Sequence, residues 1–331
     1  MNEEAILAWL LEGDPSIRWQ ALRDLAGVDD GRYISEQALV AEQGWGAQLL
    51  ALQEPSGRWG GGLYGPKWIS THYTLMTLCQ LGVPPGNPGV RRAAFLLLDS
   101  GFYQDGGINY FNRRIWKHSE TCITGMLLAM LAHLRVEDER LDRMAKHLLG
   151  QQMADGGWNC ETYRGATHAS FHTTLSVLEG LEGYRKFCLD SPGGKGQELA
   201  EVEAAQARGH EFLLWHNLFR SHRTGEVFDG RMLRFPFPPR YRYDVLRALD
   251  YFQGVKVTNA SVNSHNHIIE KDARFEDAIA LLRKKRRPDG RWDMYAGMSG
   301  RIYFELEKAG QPSRWNTLRG LRVLKWWEAL R

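Results

Sequence analysis

Leucine-rich segments with few charges recur along the chain at a helical spacing. Six of them align by their leucine rows, at residues 21–25, 74–78, 124–128, 174–178, 245–249 and 317–321. The segments between them carry Arg, Lys and Glu on one face, near residues 3–12, 44–53, 89–100, 140–152, 199–219 and 273–286. An apolar helix suits an inner layer, and a helix charged along one face suits an outer layer. The pattern predicts about twelve α-helices in six pairs.

A glycine–tryptophan loop separates several of these helices. Three loops have the pattern Gln-x3-Gly-x-Trp or nearly so, and they end at Trp59, Trp158 and Trp292, the last with Arg in place of Gln. Residues 105–110 also match residues 155–160 at an offset of 50. Glycine suits a tight turn after a helix. We therefore interpret the chain as a repeat protein in which the tryptophans join neighbouring repeats.

Six helix pairs can close into a double-walled ring, which leaves no edge repeat exposed. We predict an all-α fold, an (α/α)6 toroid, formed as one domain by residues 1–331; an open solenoid is the alternative. The extra length of the later repeats falls in residues 189–197, 222–240 and 254–271. These segments are predicted loops, from which a lid over the ring would come.

Composition excludes several classes of protein. The 331 residues are 43% hydrophobic and 24% charged, which is ordinary for a globular chain. The net charge of +3 is too small to indicate a nucleic-acid partner, and no apolar window is long enough to span a membrane. The acidic N-terminus does not resemble a secretory signal, and the four cysteines form no CxxC pair. We expect a cytoplasmic protein with reduced thiols.

The repeats resemble the α/α-toroid superfamily of terpenoid cyclases and protein prenyltransferase β subunits. The loops at Trp59, Trp158 and Trp292 are similar to the "QW" repeats of squalene-hopene-type cyclases. The resemblance implies a toroid fold and an isoprenoid-type ligand. The Asp-x-Asp-Asp motif of class II cyclases is missing, and the position of its central Asp corresponds to His72. The Asp-x-Cys zinc motif of the prenyltransferases does not occur either.

We call the residue that aligns with His72 in each repeat the ring position. It is occupied by Trp19, His72, Cys122, His172, Tyr243 and Trp315. In three repeats an arginine follows one helical turn later, at Arg23, Arg247 and Arg319. If the ring position faces a cavity, three guanidiniums beside aromatic rings suit a ligand with an anionic head and an apolar body.

The predicted binding residues are therefore Trp19, Arg23, Trp68, Tyr243, Arg247, Trp315 and Arg319. The alternative is that these arginines stack on the aromatic rings and pair with Asp24, Asp244 or Asp250 between repeats.

The other half of the ring is rich in His and Cys. His118 and Cys122 are four residues apart, as are His168 and His172, so each pair shares a helix face. Together they form a His3Cys set suited to zinc.

Two hypotheses compete with zinc binding. One is metal-free acid–base catalysis, and the other is that Cys122 is a nucleophile. The catalytic candidates are His72, Cys122, His172, Glu120 and Asp244. The structural alternative is that these histidines only cap helix N-termini.

These observations lead to one first hypothesis and two alternatives. The first is a toroid that binds and transforms an isoprenoid or similar amphiphile with an anionic head. The second is a metal- or His-dependent hydrolase or lyase acting on an acidic saccharide, and the third is a non-catalytic binding toroid. The basic run at residues 283–287 either is a solvated face or contacts an anionic membrane surface. The sequence gives no oligomeric state.

Overall fold

The computed structural model of the protein describes residues 3–190, 196–255 and 271–330, and the chain is mostly helical. The α-helices are α1 (Glu3–Leu11), α2 (Pro15–Ala21), α3 (Asp30–Ala38), α4 (Gly44–Ala51), α5 (Thr71–Leu81), α6 (Pro88–Gly101), α7 (Thr121–His133), α8 (Arg140–Gly150), α9 (Phe171–Leu189), α10 (Gly196–Trp215), α11 (Val245–Val255), α12 (Glu276–Lys284) and α13 (Arg314–Ala329). One turn of π-helix, Leu22–Ala26, extends α2, and short 3-10 turns occur at Leu39–Ala41, Thr162–Arg164, Gly230–Leu233 and Ala273–Phe275. Strands β1 (Trp292–Asp293) and β2 (Pro312–Ser313) pair antiparallel.

Each segment that the leucine rows or the charged faces predict to be helical overlaps a helix of the structure. Helix α3 is the exception, because the sequence analysis assigns no helix to its residues. Its N-terminus is capped by Asp29, which accepts a hydrogen bond from the Arg32 backbone N–H. None of its residues is buried, so it carries no apolar row that a periodicity argument could detect. The predicted loop 222–240 is irregular apart from its 3-10 turn. In the other two predicted loops, 189–197 and 254–271, residues 191–195 and 256–270 lie outside the part of the chain that the structure describes.

The buried helices contact one another in a cyclic order. Helix α5 packs on α7, α7 on α9, α9 on α11, α11 on α13, and α13 on α2. Helix α2 returns to the end of α5, where the Trp19 indole N–H donates to the Leu81 carbonyl at 2.9 Å. Helices α4, α6, α8, α10 and α12 each pack on one of these buried helices.

Helices α7 and α9 approach each other closely because glycines lie at their contact. A Cβ atom built on Gly125 would lie 2.6 Å from the Ser176 carbonyl oxygen, and one on Gly180 would lie 2.5 Å from the Gly125 carbonyl oxygen. Any side chain larger than hydrogen would push the two backbones apart. The first turns of α7 and α9 are consequently neighbours.

Each tryptophan loop is joined to two helices in the same way. The Trp158 indole N–H donates to the Leu148 carbonyl at the end of α8, and its backbone N–H donates to the Thr174 hydroxyl in α9. Trp59 and Trp292 make the equivalent pairs of bonds. All three side chains are buried. These bonds connect a helix, a loop and the following helix within one predicted repeat, so they do not themselves make the predicted connection between neighbouring repeats.

A buried ion network joins the two ends of the chain. Asp250 of α11 accepts hydrogen bonds from Arg319 and Arg322 of α13, and Arg322 also contacts Asp24 next to α2. Charged side chains that are largely removed from water stabilise a fold only when they are paired with an opposite charge. The network therefore holds α13 against both α11 and the N-terminal helices.

Most of the basic run at residues 283–287 has partners within the chain. Arg283 pairs with Glu328, Lys285 donates to the Tyr295 hydroxyl, Arg286 lies over the Trp292 ring, and Arg287 pairs with Asp289 and Asp293. These contacts favour the structural interpretation of the run, and membrane contact stays an untested prediction. Among the described residues, no helix combines the length and apolarity that a membrane span needs.

Replacing Trp158 with Phe tests the loop connection. The change removes the indole hydrogen bond to Leu148 and leaves unfilled volume, so we expect a loss of about 1–3 kcal/mol in the free energy of unfolding. Trp215→Phe is the matched control, since that side chain is 67% exposed. Chemical denaturation of both variants measures the difference, and equal effects would contradict the connecting role of Trp158.

Candidate functional site

A cavity of about 440 Å³ lies at the N-terminal ends of α7 and α9. We call it the mouth cavity. The polar and reactive side chains that line it include Lys67, Glu120, Cys122, Cys160, Glu161 and His172. Tyr64, Phe111 and Tyr241 supply aromatic walls. The cavity thus combines acid, thiol, imidazole and ammonium groups beside apolar surface.

Local backbone structure brings the acid and the two thiols together. Glu120 directly precedes α7 in an extended conformation, and its N–H donates to the Ile108 carbonyl. Cys122 lies in the first turn of α7. Cys160 lies in the loop before α9, where its N–H donates to the Thr173 hydroxyl at 3.3 Å. Because α7 and α9 pack closely, the loop carries Cys160 to the start of α7.

Glu120, Cys122 and Cys160 form a potential metal-binding group. One carboxylate oxygen and the two Sγ atoms all lie within 4.8 Å of one another. Within the described part of the chain, no other group of three or more His, Cys, Asp or Glu side chains has its ligand atoms this close together. Two thiolates and a carboxylate are donors that zinc accepts.

The two thiols have different protonation tendencies. The Cys122 thiol donates a hydrogen bond to the Cys160 sulfur, which lowers the pKa of Cys160 to about 6. The same bond, together with burial, raises the pKa of Cys122 well above its ordinary value. The hydrogen bond therefore favours the thiolate at Cys160, and a thiolate is the form that binds metal.

Burial raises the pKa of Glu120 to about 7, and the charge of Cys160 adds to this effect. An acid with this pKa can accept or donate a proton near neutral pH. A bound cation would instead favour its ionised form. Glu120 is therefore suited to acid–base work without a metal and to metal binding with one.

His172 contributes a hydrogen-bond donor to the mouth cavity. Its Nδ1 atom accepts the Tyr243 backbone N–H at 2.8 Å. Burial, with the nearby charges of Arg247 and Arg242, lowers the pKa of His172 to about 4, so the ring is neutral at pH 7. A neutral ring whose Nδ1 accepts carries its proton on Nε2. This contact favours a donor role for His172 over metal binding.

Lys67 lies at the aromatic edge of the cavity. Its ammonium is 5.2 Å from the centre of the Tyr64 ring, 5.4 Å from Trp68 and 5.0 Å from Tyr241. No carboxylate of the described residues pairs with it at 4 Å or less. Lys67 can therefore pair with an anionic ligand that enters the cavity.

The predicted His3Cys set is not brought together as four ligands. His118 stacks on Tyr163 with ring centres 4.1 Å apart. His168 lines a separate surface cavity beside Trp215. Neither histidine joins Cys122 in a group within 4.8 Å in the described structure, because each projects from a loop before its helix. Of the four predicted ligands, Cys122 and His172 line the mouth cavity.

Two predicted catalytic residues lie outside the mouth cavity. His72 is fully buried against Tyr64, Tyr73 and Tyr110, and neither ring nitrogen has a described hydrogen-bond partner. Burial lowers its pKa to about 3, so it does not protonate near neutral pH. Asp244 is also buried and accepts the Arg247 backbone N–H at the start of α11. Its position indicates a helix-capping role.

The three predicted head-group arginines are paired with carboxylates. Arg23 lies over the Trp19 ring and pairs with Asp24, and Arg319 pairs with Asp250, as the alternative interpretation predicts. Arg247 pairs with Glu179 instead.

The aromatic residues of this predicted set also have internal contacts. Trp315 stacks on Phe237, and the Tyr243 hydroxyl donates to the Leu218 carbonyl. Of the predicted binding set, Arg23 lines a cavity together with Glu179 and Asp250, and Trp68 lines another cavity, described below.

Lys67 is absent from the predicted site, and the sequence indicates for Cys160 only that its loop, beside His168, could extend a site at the ring mouth. A signal for Cys160 exists in the repeat at an offset of 50, where it aligns with Tyr110 at the end of the matching loop. That loop position faces the start of the preceding leucine-rich helix in both repeats, since Cys160 lies beside Cys122 of α7 and Tyr110 contacts His72 of α5. Lys67 has no comparable signal, because it lies in an irregular segment between α4 and α5.

Comparison with known proteins gives little further evidence. No family model matches the chain, and no curated protein matches it. Among solved structures it is similar to the apo type II terpene cyclase MstE from Scytonema, at 15% sequence identity. The match covers 88% of this chain and 97% of that chain, with a TM-score of 0.33. At this score the likeness carries no argument about ligand or reaction.

Glu120→Gln tests the electrostatics of the mouth cavity in protein treated with a chelator. The pKa of Glu120 is raised to about 7 from an ordinary 4.5, so the folded state holds a proton that the unfolded state has lost between these values. Stability conferred by this group is therefore lost as pH rises from about 4.5 to about 7. We expect the variant to unfold at a higher temperature than the wild type at pH 8, with a smaller difference at pH 5.

Glu137→Gln, at an exposed position after α7 that does not line the mouth cavity, is the control. A difference between Glu120→Gln and the wild type that does not change with pH would contradict the raised pKa.

Proposed function

We propose that the chain is a metal-dependent enzyme whose site is the mouth cavity of an (α/α)6 toroid. The observation that carries the proposal is the convergence of Glu120, Cys122 and Cys160 within 4.8 Å in a cavity large enough for a ligand. The proposed ligand is an amphiphile of the isoprenoid type with an anionic head. The acidic-saccharide and non-catalytic alternatives stay predictions from the sequence.

The cyclic order of helix contacts supports the toroid. The contacts run from α5 through α7, α9, α11 and α13 to α2, and the Trp19 bond returns to α5. The other helices pack on this set from outside. An open solenoid would leave its first and last repeats without a common contact, whereas here Arg322 of α13 reaches Asp24 beside α2.

The donor set suits a catalytic zinc centre. Structural zinc sites are closed by four protein ligands, whereas catalytic sites use three and keep one position open. Glu120, Cys122 and Cys160 supply three, and His172 at the same cavity is better suited to donate a hydrogen bond. Zinc in such a site supplies a Lewis acid that polarises an atom of the ligand.

The remaining side chains of the mouth cavity support binding and orientation of a ligand. The Lys67 ammonium attracts an anionic group, and the Tyr64 and Tyr241 rings cover the apolar part. The Nε2–H of His172 donates to an oxygen atom of the ligand. Because Arg23, Arg247 and Arg319 are paired with acids, Lys67 replaces them as the proposed head-group contact.

Metal analysis tests the proposed centre. Protein purified without chelator or metal-affinity resin is expected to contain about one zinc per chain by mass spectrometry. Cys122→Ser and Cys160→Ser are expected to lose the metal while remaining folded. Cys79→Ser, in the same helix layer but away from the mouth cavity, is the matched control and keeps it.

Two further variants separate the present donor set from the set predicted by sequence. His118→Ala and His168→Ala are expected to retain zinc. A wild-type protein without zinc, or zinc that survives both cysteine changes, would overturn the proposed centre.

Binding of geranyl diphosphate tests the ligand class. Removing the unpaired ammonium with Lys67→Met is expected to weaken binding about tenfold or more, the effect of losing one charge-assisted contact. Lys117→Met, at another exposed position that does not line the mouth cavity, is the control. Calorimetric titration that gives equal affinity for the wild type and Lys67→Met would contradict the head-group assignment.

A further inference from the structure

A second cavity, of about 290 Å³, lies beside Trp68 and is distinct from the mouth cavity. We call it the Arg240 cavity. Its apolar lining includes Trp68, Phe237, Met294 and Met298, and Arg240 supplies a guanidinium. Trp68 and Tyr241, with ring centres 5.9 Å apart, stand between this cavity and Lys67. The two cavities are thus neighbours separated by an aromatic pair.

Arg240 is a largely buried cation without a carboxylate partner. Its guanidinium donates to the Thr77 hydroxyl at 3.2 Å and lies 5.7 Å from the centre of the Trp68 ring. No ion pair to Arg240 occurs among the residues that the structure describes, in contrast to Arg247 and Arg319. Burial also lowers its pKa to about 10. A guanidinium has five N–H donors, so most of its hydrogen-bonding capacity has no partner in these contacts.

The acids at the edge of this cavity do not neutralise Arg240. Glu307 accepts hydrogen bonds from the Ser313 hydroxyl and the Arg314 backbone N–H, and it therefore caps α13. Glu305 lies on the exposed rim. A buried, unpaired charge is unfavourable unless another charge compensates it.

The backbone at Arg240 is held in an unusual conformation. Its φ of +58° lies in the left-handed region, which non-glycine residues rarely adopt and which costs on the order of 1 kcal/mol. Neighbouring bonds hold the segment: the Asn316 side chain donates to the Phe235 carbonyl, and the Tyr243 N–H donates to His172. Strain that persists between such anchors is typical of residues that serve a ligand.

We infer that the Arg240 cavity binds a small apolar molecule that carries a carboxylate or phosphate group, with Arg240 contacting the anion. The guanidinium fork matches either group through two parallel hydrogen bonds. The aromatic and methionine side chains cover the apolar part. A volume of 290 Å³ holds about ten water-sized groups at roughly 30 Å³ each, so the ligand is short. The inference does not depend on the metal centre.

Calorimetric titration with octanoate, octyl phosphate and octanol tests this inference on the full chain. Octanoate or octyl phosphate is expected to bind one per chain, and the tighter of the two identifies the anion. Neutral octanol is expected to bind at least tenfold more weakly. If wild-type protein binds octanol and both anions with equal affinity, the inference fails, and no variant is needed to show it.

Arg240→Met is expected to weaken binding of the preferred anion at least tenfold. Arg234→Met, an exposed arginine of the same segment, is the matched control and keeps wild-type affinity. The same anion is expected to raise the unfolding temperature of the wild type and of Arg234→Met but not of Arg240→Met. If Arg240→Met retains the wild-type affinity, Arg240 is not the anion contact and the inference fails.

The metal-site variant Cys160→Ser separates the two proposals. It is expected to keep wild-type affinity for the preferred anion, because Cys160 lines the mouth cavity and not the Arg240 cavity. Anion binding that disappears in Cys160→Ser and persists in Arg240→Met would assign the anion to the mouth cavity instead.

Discussion

The hydrogen bond from a loop backbone N–H to a threonine hydroxyl of the following inner helix is the contact on which the site depends. Trp158 makes it with Thr174, and Ile108 makes it with Thr124. A buried N–H needs a partner, and the threonine supplies one at a fixed point in the first helical turns. The loop that ends in Cys160 is thereby held beside α9. The preceding loop is held beside α7 in the same way, close to Glu120.

The distribution of charge decides what each cavity can bind. Most arginines of the inner helices are paired with carboxylates of neighbouring helices, so they stabilise the packing of the fold rather than attract a ligand. Beside the two cavities, Lys67 on the mouth side of Trp68 and Arg240 on the other side have aromatic contacts and no carboxylate partner among the described residues. An anionic group can compensate either charge. The aromatic pair Trp68 and Tyr241 keeps the two positions apart.

Burial and coupling between neighbouring groups set the protonation states in the mouth cavity. Burial keeps His72 and His172 neutral at physiological pH. The same burial makes a metal-free group of Glu120, Cys122 and Cys160 unfavourable when all three are charged, because like charges would face one another. A divalent cation removes this repulsion.

The sequence by itself determined the helices, their pairing and the loop tryptophans, because apolar periodicity and glycine turns are local properties. The alignment of the repeats also proposed Cys122 and His172 as ring positions, with Glu120 as an acid close to Cys122 in sequence. Only the tertiary structure decided which side chains meet. Helical phase cannot show that Cys160 reaches Cys122 from a loop, that His118 and His168 point elsewhere, or that Arg247 pairs with Glu179. Those outcomes depend on the close approach of α7 and α9 and on partners distant in sequence.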